Sequence, residues 1–160
     1  MKFYMKQKLL SWRESHSIYD ENQNPVFQVE GKLLSWGKQL RLTDIKSGEH
    51  IVDIKEKVIA LLPKMLIEYQ GKHVATVQKE LTFFKPKYKV PELGWKIEGD
   101  YLQHDYQIFD DRNKLIADIN KKFFAWSDTF EFDIKDTQVP FAVVIGVILA
   151  IDMAMDEASN

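Results

Sequence analysis

Pro140-Phe141-Ala142-Val143-Val144-Ile145-Gly146-Val147-Ile148-Leu149-Ala150-Ile151-Asp152-Met153-Ala154-Met155 is the stretch on which the fold turns. Wound as a helix, it shows apolar side chains on every side, and such helices are buried in a core or in a membrane. Its Val and Ile content would suit a strand. The run has no internal turn, however, and is much longer than a typical strand of about 5–6 residues. Ala150, Met153, Ala154 and Met155 favour helix, and Pro140 suits a first helical turn. Length then separates core from membrane. A spanning helix needs roughly 20 apolar residues, about 30 Å of rise. The uncharged stretch lies between Asp136 and Asp152, with Gln138 and Pro140 near its start, and no Lys or Arg follows it. At about 1.5 Å per residue that leaves nearer ~20 Å of purely apolar helix. The run reads as a buried central helix, and no transmembrane segment is expected.

The chain upstream repeats one pattern, a polar turn followed by an alternating strand that ends in lysine or glutamate. Asp20-Glu21-Asn22-Gln23-Asn24-Pro25 leads into Val26, Phe27 and Val29, and Lys46-Ser47-Gly48-Glu49 into Ile51, Val52 and Ile54. Gln70-Gly71-Lys72 leads into Val74, Ala75 and Val77, and Asp110-Asp111-Arg112-Asn113 into Leu115, Ile116, Ala117 and Ile119. Outgoing strands fit the same scheme: Leu40 to Ile45, Leu66 to Tyr69, Tyr101 to Phe109, and Phe130, Phe132 and Ile134 with their charged alternates. These are consecutive antiparallel hairpins in a meander. Lys85-Pro86-Lys87-Tyr88-Lys89-Val90-Pro91 is expected to divide the meander, because proline is excluded from central strands.

With 160 residues, the chain is expected to form a single domain spanning 1–160 with a core of its own. The 45% apolar and 29% charged fractions are those of an ordinary globular protein. A net charge of −2 argues against a dedicated nucleic-acid binder, which is usually basic. The absence of cysteine excludes disulfides, thiolate metal sites and cysteine nucleophiles. Near the N-terminus the apolar pair Leu9-Leu10, followed by Ser11, Trp12 and Arg13, is too short for a secretory segment, which needs roughly 7–15 apolar residues. A cytoplasmic location is the resulting expectation.

The order of these features resembles the LURP-one-related family. The features are the opening Tyr4-Met5-Lys6-Gln7-Lys8, the Asp110-Asp111 turn with Ile116-Ala117, and the closing apolar run with Asp152. That family belongs to the tubby C-terminal-like group, with the phospholipid scramblases. The resemblance implies a mainly β fold, a closed antiparallel β-barrel of about twelve strands around a central hydrophobic C-terminal α-helix. It implies less about function. Eukaryotic tubby domains bind phosphoinositides through a basic surface site and scramblases are membrane-attached, but no binding residue of either can be placed here.

A search for chemistry finds no catalytic constellation. His16, His50, His73 and His104 lack the i, i+2 or i, i+4 pairing of metal sites, and no metal or cofactor is expected. The Asp20 turn imitates a calcium loop, but its sixth position is Pro25 and its twelfth Gly31. Asp110-Asp111 reads as a hairpin turn, since adjacent side chains point apart. Gly31-Lys32, Gly37-Lys38 and Gly71-Lys72 lack the remainder of a phosphate loop.

The suggestive surface is basic. Lys85, Lys87 and Lys89 alternate and so share one face of an extended segment, beside Phe83, Phe84 and Tyr88; Lys55 and Lys57 share a face elsewhere. Such lysines suit an anionic lipid surface, or else they protect an exposed strand edge. Asp152, after a wholly apolar run, calls for a Lys, Arg, His or backbone donor and is assigned a structural role in fixing the helix's depth. The expectation is a non-enzymatic binding or scaffold domain, peripheral at an anionic phospholipid membrane or bound to a protein partner. The alternatives are a purely structural or regulatory soluble protein of unknown ligand and a membrane-associated, scramblase-like protein. A lipocalin-like carrier would need an empty barrel, which the central helix opposes.

Overall fold

The computed structural model describes residues 1–6, 15–58, 61–101, 103–123, 128–135 and 137–158. The Leu9-Leu10 pair and Trp12 lie outside them. In the first half the strands are β1 (Lys2–Lys6), β2 (His16–Tyr19), β3 (Pro25–Leu34), β4 (Gly37–Asp44), β5 (His50–Glu56) and β6 (Lys64–Tyr69). The second half holds β7 (Lys72–Glu80), β8 (Lys87–Val90), β9 (Trp95–Asp100), β10 (Asp105–Phe109), β11 (Leu115–Phe123) and β12 (Asp128–Ile134). A 3₁₀ turn, Pro91–Leu93, links β8 to β9, and the helix α1 spans Phe141–Ala158.

Alternation decides which way each strand faces. Met65 and Ile67 in β6 and Tyr106 and Ile108 in β10 are buried while their neighbours are more exposed; in β12 Phe130, Phe132 and Ile134 are buried, and so are the alternates Thr129 and Glu131. Each strand pairs antiparallel with the next, and β1 closes the circle on β12 with Phe3 opposite Phe132 and Met5 opposite Phe130. The result is a closed twelve-strand barrel.

Closure corrects two expectations. The segment between Pro86 and Pro91 does not divide the meander: β8 is a strand of the barrel wall, paired with β7 and with β9. The prolines sit just outside it, where no ladder hydrogen bond is lost, and Pro91 opens the 3₁₀ turn. Protection of a sheet edge likewise cannot explain the lysines, because a closed barrel has no edge.

The hairpin turns follow from their side chains. Asp20 Oδ1 accepts hydrogen bonds from the backbone amides of Asn22 and Asn24, both at 2.9 Å. Asp110 Oδ1 does the same for Arg112 and Lys114, at 2.9 and 2.8 Å. Gln23 (φ 63°) and Asn113 (φ 61°) take the left-handed position each turn requires. The Asp110 carboxylate is thus occupied by backbone. Tyr101 falls in the β9–β10 connection, so the outgoing strand begins only at Asp105.

The apolar run is the helix that fills the barrel. The Val143 and Val144 amides donate to the Pro140 carbonyl at 2.9 and 3.2 Å, starting the helix where proline allows it. Every residue from Ala142 through Ala154 is buried, Gly146 and the charged Asp152 included. Gly146 packs close to the wall, where a β-carbon would stand 3.0 Å from Val52 Cγ1. At the helix start Phe141 packs edge-on to Phe3 at 5.7 Å, and at the far end Met155 reaches the cleft that holds Tyr88 and Tyr101.

Antiparallel pairing sorts the connections into two ends. The polar turns β2–β3, β4–β5, β6–β7 and β10–β11, with the 3₁₀ turn, lie at the end where the helix enters. The β3–β4, β5–β6, β7–β8 and β9–β10 connections lie at the other, the loop end.

Candidate functional site

Strand β8 puts Tyr88 and Val90 inside and Lys87 and Lys89 outside, so the lysine alternation is read out on one outer face. Lys85 lies just before the strand, in the β7–β8 connection. The pairing of β8 with β9 stops at Tyr88 opposite Ile97, while β9 runs on to Asp100. The seam opens there into a cleft of about 770 Å³ lined by Lys85, Lys87, Lys89 and Lys96, with Glu98 and Asp100 on its far wall. Lys96 was not singled out from the sequence. It stands opposite Lys89 across the strand pair, a placement visible only once the register is known.

The five lysines singled out in the sequence differ in their surroundings. Lys55 is held by Glu68, with both carboxylate oxygens at 3.1 Å, and lies on β5, three strands from β8. Lys89 pairs with Glu80 at 3.4 Å, and Lys96 with Glu98 at 3.6 Å. Lys57, Lys85 and Lys87 are exposed, make no ion pair among the described residues, and all lie at the loop end. These three are the members of the expected set left without an acidic partner among the described residues; the opposite end carries Lys46, Lys72 and Arg112 in the same condition, there among the acidic turns Asp20-Glu21 and Asp110-Asp111.

The loop end is also apolar. Trp36, Leu61, Leu81, Phe83 and Phe84 are largely or wholly exposed on its connections. A second cleft, about 480 Å³, opens between Leu62, Leu81 and Phe84 above Met155. Phe83 and Phe84 were noted beside the lysines in the sequence; Trp36, Leu61 and Leu81 were not. Their signal is an apolar side chain inside a turn, where burial by the local fold is unavailable.

Inside the barrel, one polar pair interrupts the core. The Asp152 carboxylate lies 3.6 Å from His104 Nδ1, beyond hydrogen-bond length, and the His104 ring stands edge-on to Phe130 at 4.7 Å. Burial, aided by the Lys121 charge, lowers the His104 pKa below its ordinary 6.5, so the imidazole is neutral at pH 7. Burial and the neighbouring Asp152 carboxylate push the Tyr106 hydroxyl well above its ordinary range. Among the described residues no group of three or more His, Asp or Glu side chains converges as a metal site would require.

A model of the LURP-one-related family matches residues 1–152. The chain belongs to that family. A Bacillus subtilis relative, the uncharacterised protein YxjI, is 34% identical over 158 residues, covering 98% of this chain and 96% of its own. A solved structure of an Arabidopsis thaliana protein superposes with a TM-score of 0.64 at 15% identity, over 95% of this chain and 90% of that one. The latter likeness is one of fold. For this LURP-one-related chain the matched span takes in every strand, the lysine-bearing β7–β8 segment, and the helix as far as Asp152. Among the described residues, no helix is long and apolar enough to cross a membrane.

Proposed function

We propose that this LURP-one-related barrel is a non-enzymatic binding module that docks peripherally on an anionic phospholipid surface, at the cytoplasmic face of a membrane. The observation that carries the reading is the grouping of Lys57, Lys85 and Lys87 at the loop end, exposed and without acidic partners among the described residues. Near an anionic leaflet each lysine contributes about 1 kcal/mol, so three supply a weak, salt-sensitive attraction that falls off within a Debye length. The barrel is filled by its own helix, which favours an outer surface over the lumen as the place of contact.

Vesicle sedimentation tests this. The protein should co-sediment with phosphatidylglycerol-containing vesicles at low salt, less so at physiological salt, and not with phosphatidylcholine alone. Lys85→Glu with Lys87→Glu should abolish the charge dependence, whereas Lys55→Gln, in which the removed amine was bound to Glu68, should leave it intact. Equal binding to anionic and neutral vesicles at low salt, or none to either, would sink the reading.

A further inference from the structure

Large exposed apolar side chains are normal when scattered. Here they are not scattered. Of the ten such residues among those described, seven sit at the loop end: Leu33 in the last residues of β3, and six on three neighbouring connections, Trp36 at β3–β4, Val58 and Leu61 at β5–β6, and Leu81, Phe83 and Phe84 at β7–β8. The remaining three, Met1, Ile45 and Phe141, lie at the opposite end and are about half exposed or less. None lies on the middle of the barrel wall.

The three connections form one arc. A β-carbon on Gly37 would meet Val58 Cγ2 at 2.7 Å, and the Lys38 amide donates to the Glu56 carboxylate at 2.8 Å, which ties the β3–β4 turn to the end of β5. Leu62 and the pair Leu81 and Phe84 wall a common cleft, which ties β5–β6 to β7–β8. Lys57, Lys85 and Lys87 stand within the same arc.

We infer that these three connections are insertion tips, which bury their apolar side chains in the interfacial layer of a bilayer and stand the barrel on its loop end with the helix axis steep to the membrane. The inference rests on the anionic-surface reading for the choice of partner and goes beyond it in the source of affinity. Three observations favour a bilayer over a protein or a second copy of the chain. Leu61, Phe83 and Phe84 are each at least 95% exposed, so they project singly instead of forming a flat patch. A rigid partner would need a separate cavity for each, whereas headgroups and acyl chains close around any shape. The flanking lysines complement an anionic leaflet, and a Trp at the rim matches the preference of that residue for membrane interfaces. Charge alone gives weak attachment, and stable peripheral binding takes a second, apolar signal.

The native chain has no cysteine, so one introduced at a tip can carry a polarity-sensitive nitrobenzoxadiazole dye alone. With phosphatidylcholine–phosphatidylglycerol vesicles, dye on Phe83→Cys should brighten, shift to the blue and be quenched by spin-labelled acyl chains, while dye on Ile45→Cys should not respond. Phe83→Ser with Phe84→Ser should cut vesicle affinity by roughly tenfold per side chain, with the thermal midpoint unchanged because both residues are outside the core. An unresponsive dye and wild-type affinity of the double variant would overturn insertion while leaving charge-driven docking intact. Insertion into neutral vesicles as readily as anionic ones would do the reverse. Absence of binding to either kind, or a lipid-free dimer that the double variant abolishes, would overturn insertion together with the choice of a bilayer as partner.

Discussion

Two tyrosines show how one hydrogen bond decides the worth of a buried hydroxyl. Tyr88 and Tyr101 stack edge-on at 5.3 Å, and burial raises both to a pKa of about 12. Tyr101 donates to the Ile97 carbonyl at 2.7 Å, whereas the Tyr88 hydroxyl is buried without a hydrogen-bond partner among the described residues. Tyr88→Phe should therefore leave stability unchanged or raise it by up to about 1 kcal/mol, and Tyr101→Phe should lower it by about 1 kcal/mol; urea unfolding of the two variants gives the comparison. His104 supplies the pH dependence. The unfolded chain takes up a proton near 6.5, while burial and Lys121 hold the folded pKa lower, so the folded state resists protonation. Stability is thus fully present above about 6.5 and falls as pH drops toward the folded value. His104→Gln should flatten that decline in unfolding free energies measured between pH 7.5 and 5.5, and an unaltered slope would remove His104 as its source. The sequence calls for a basic or donor group near Asp152 but does not say which: His104 is an isolated histidine in the sequence, and only the β9–β10 connection brings it to Asp152.

Among the elements, the helix is the most constrained, and Gly146 tests how tightly. Alanine gains about 1 kcal/mol of helix propensity over glycine, but its methyl would meet Val52 Cγ1 at 3.0 Å and Ile67 Cγ2 at 3.5 Å. The two effects should nearly cancel in Gly146→Ala. Gly146→Leu exceeds the space and should cost about 1–3 kcal/mol or more by overpacking, read as a lower denaturant midpoint at unchanged slope. Emptying the same interior from the helix side, Ile148→Ala should cost about 2–5 kcal/mol. The helix and the turn–strand units were legible because each depends on local features: a run apolar all round, and Asp or Gly at left-handed turn positions. Strands β8 and β9 were not. In β8 two prolines mask four residues of alternation, and in β9 the alternation of Trp95 and Ile97 gives way to Gly99, whose φ of 131° and backbone contact with Asp105 leave no room for a side chain.

At the scale of the molecule, the lysines were legible as residues but not as a site. Their grouping depends on which connections share an end and which carboxylates lie across a strand pair, and both follow from closure. Closure has a further consequence, in time. The Met1 amine donates to the Ile134 carbonyl at 2.7 Å across 133 residues of chain, and the helix that fills the lumen follows every strand in sequence. A barrel without its filling has no core, and a filling without its wall is an apolar peptide in water, so neither half is a stable stopping point. Domains commonly begin to fold from the N-terminus during synthesis at about 5–20 residues per second, but this chain gains nothing from an early start. Refolding should be slow for its length, as it is for folds whose contacts are non-local, and amide protection in β1 and β12 should appear together with that in the helix. A ribosome-stalled chain ending before Phe141 should remain protease-sensitive throughout, with the whole wall already made and still waiting.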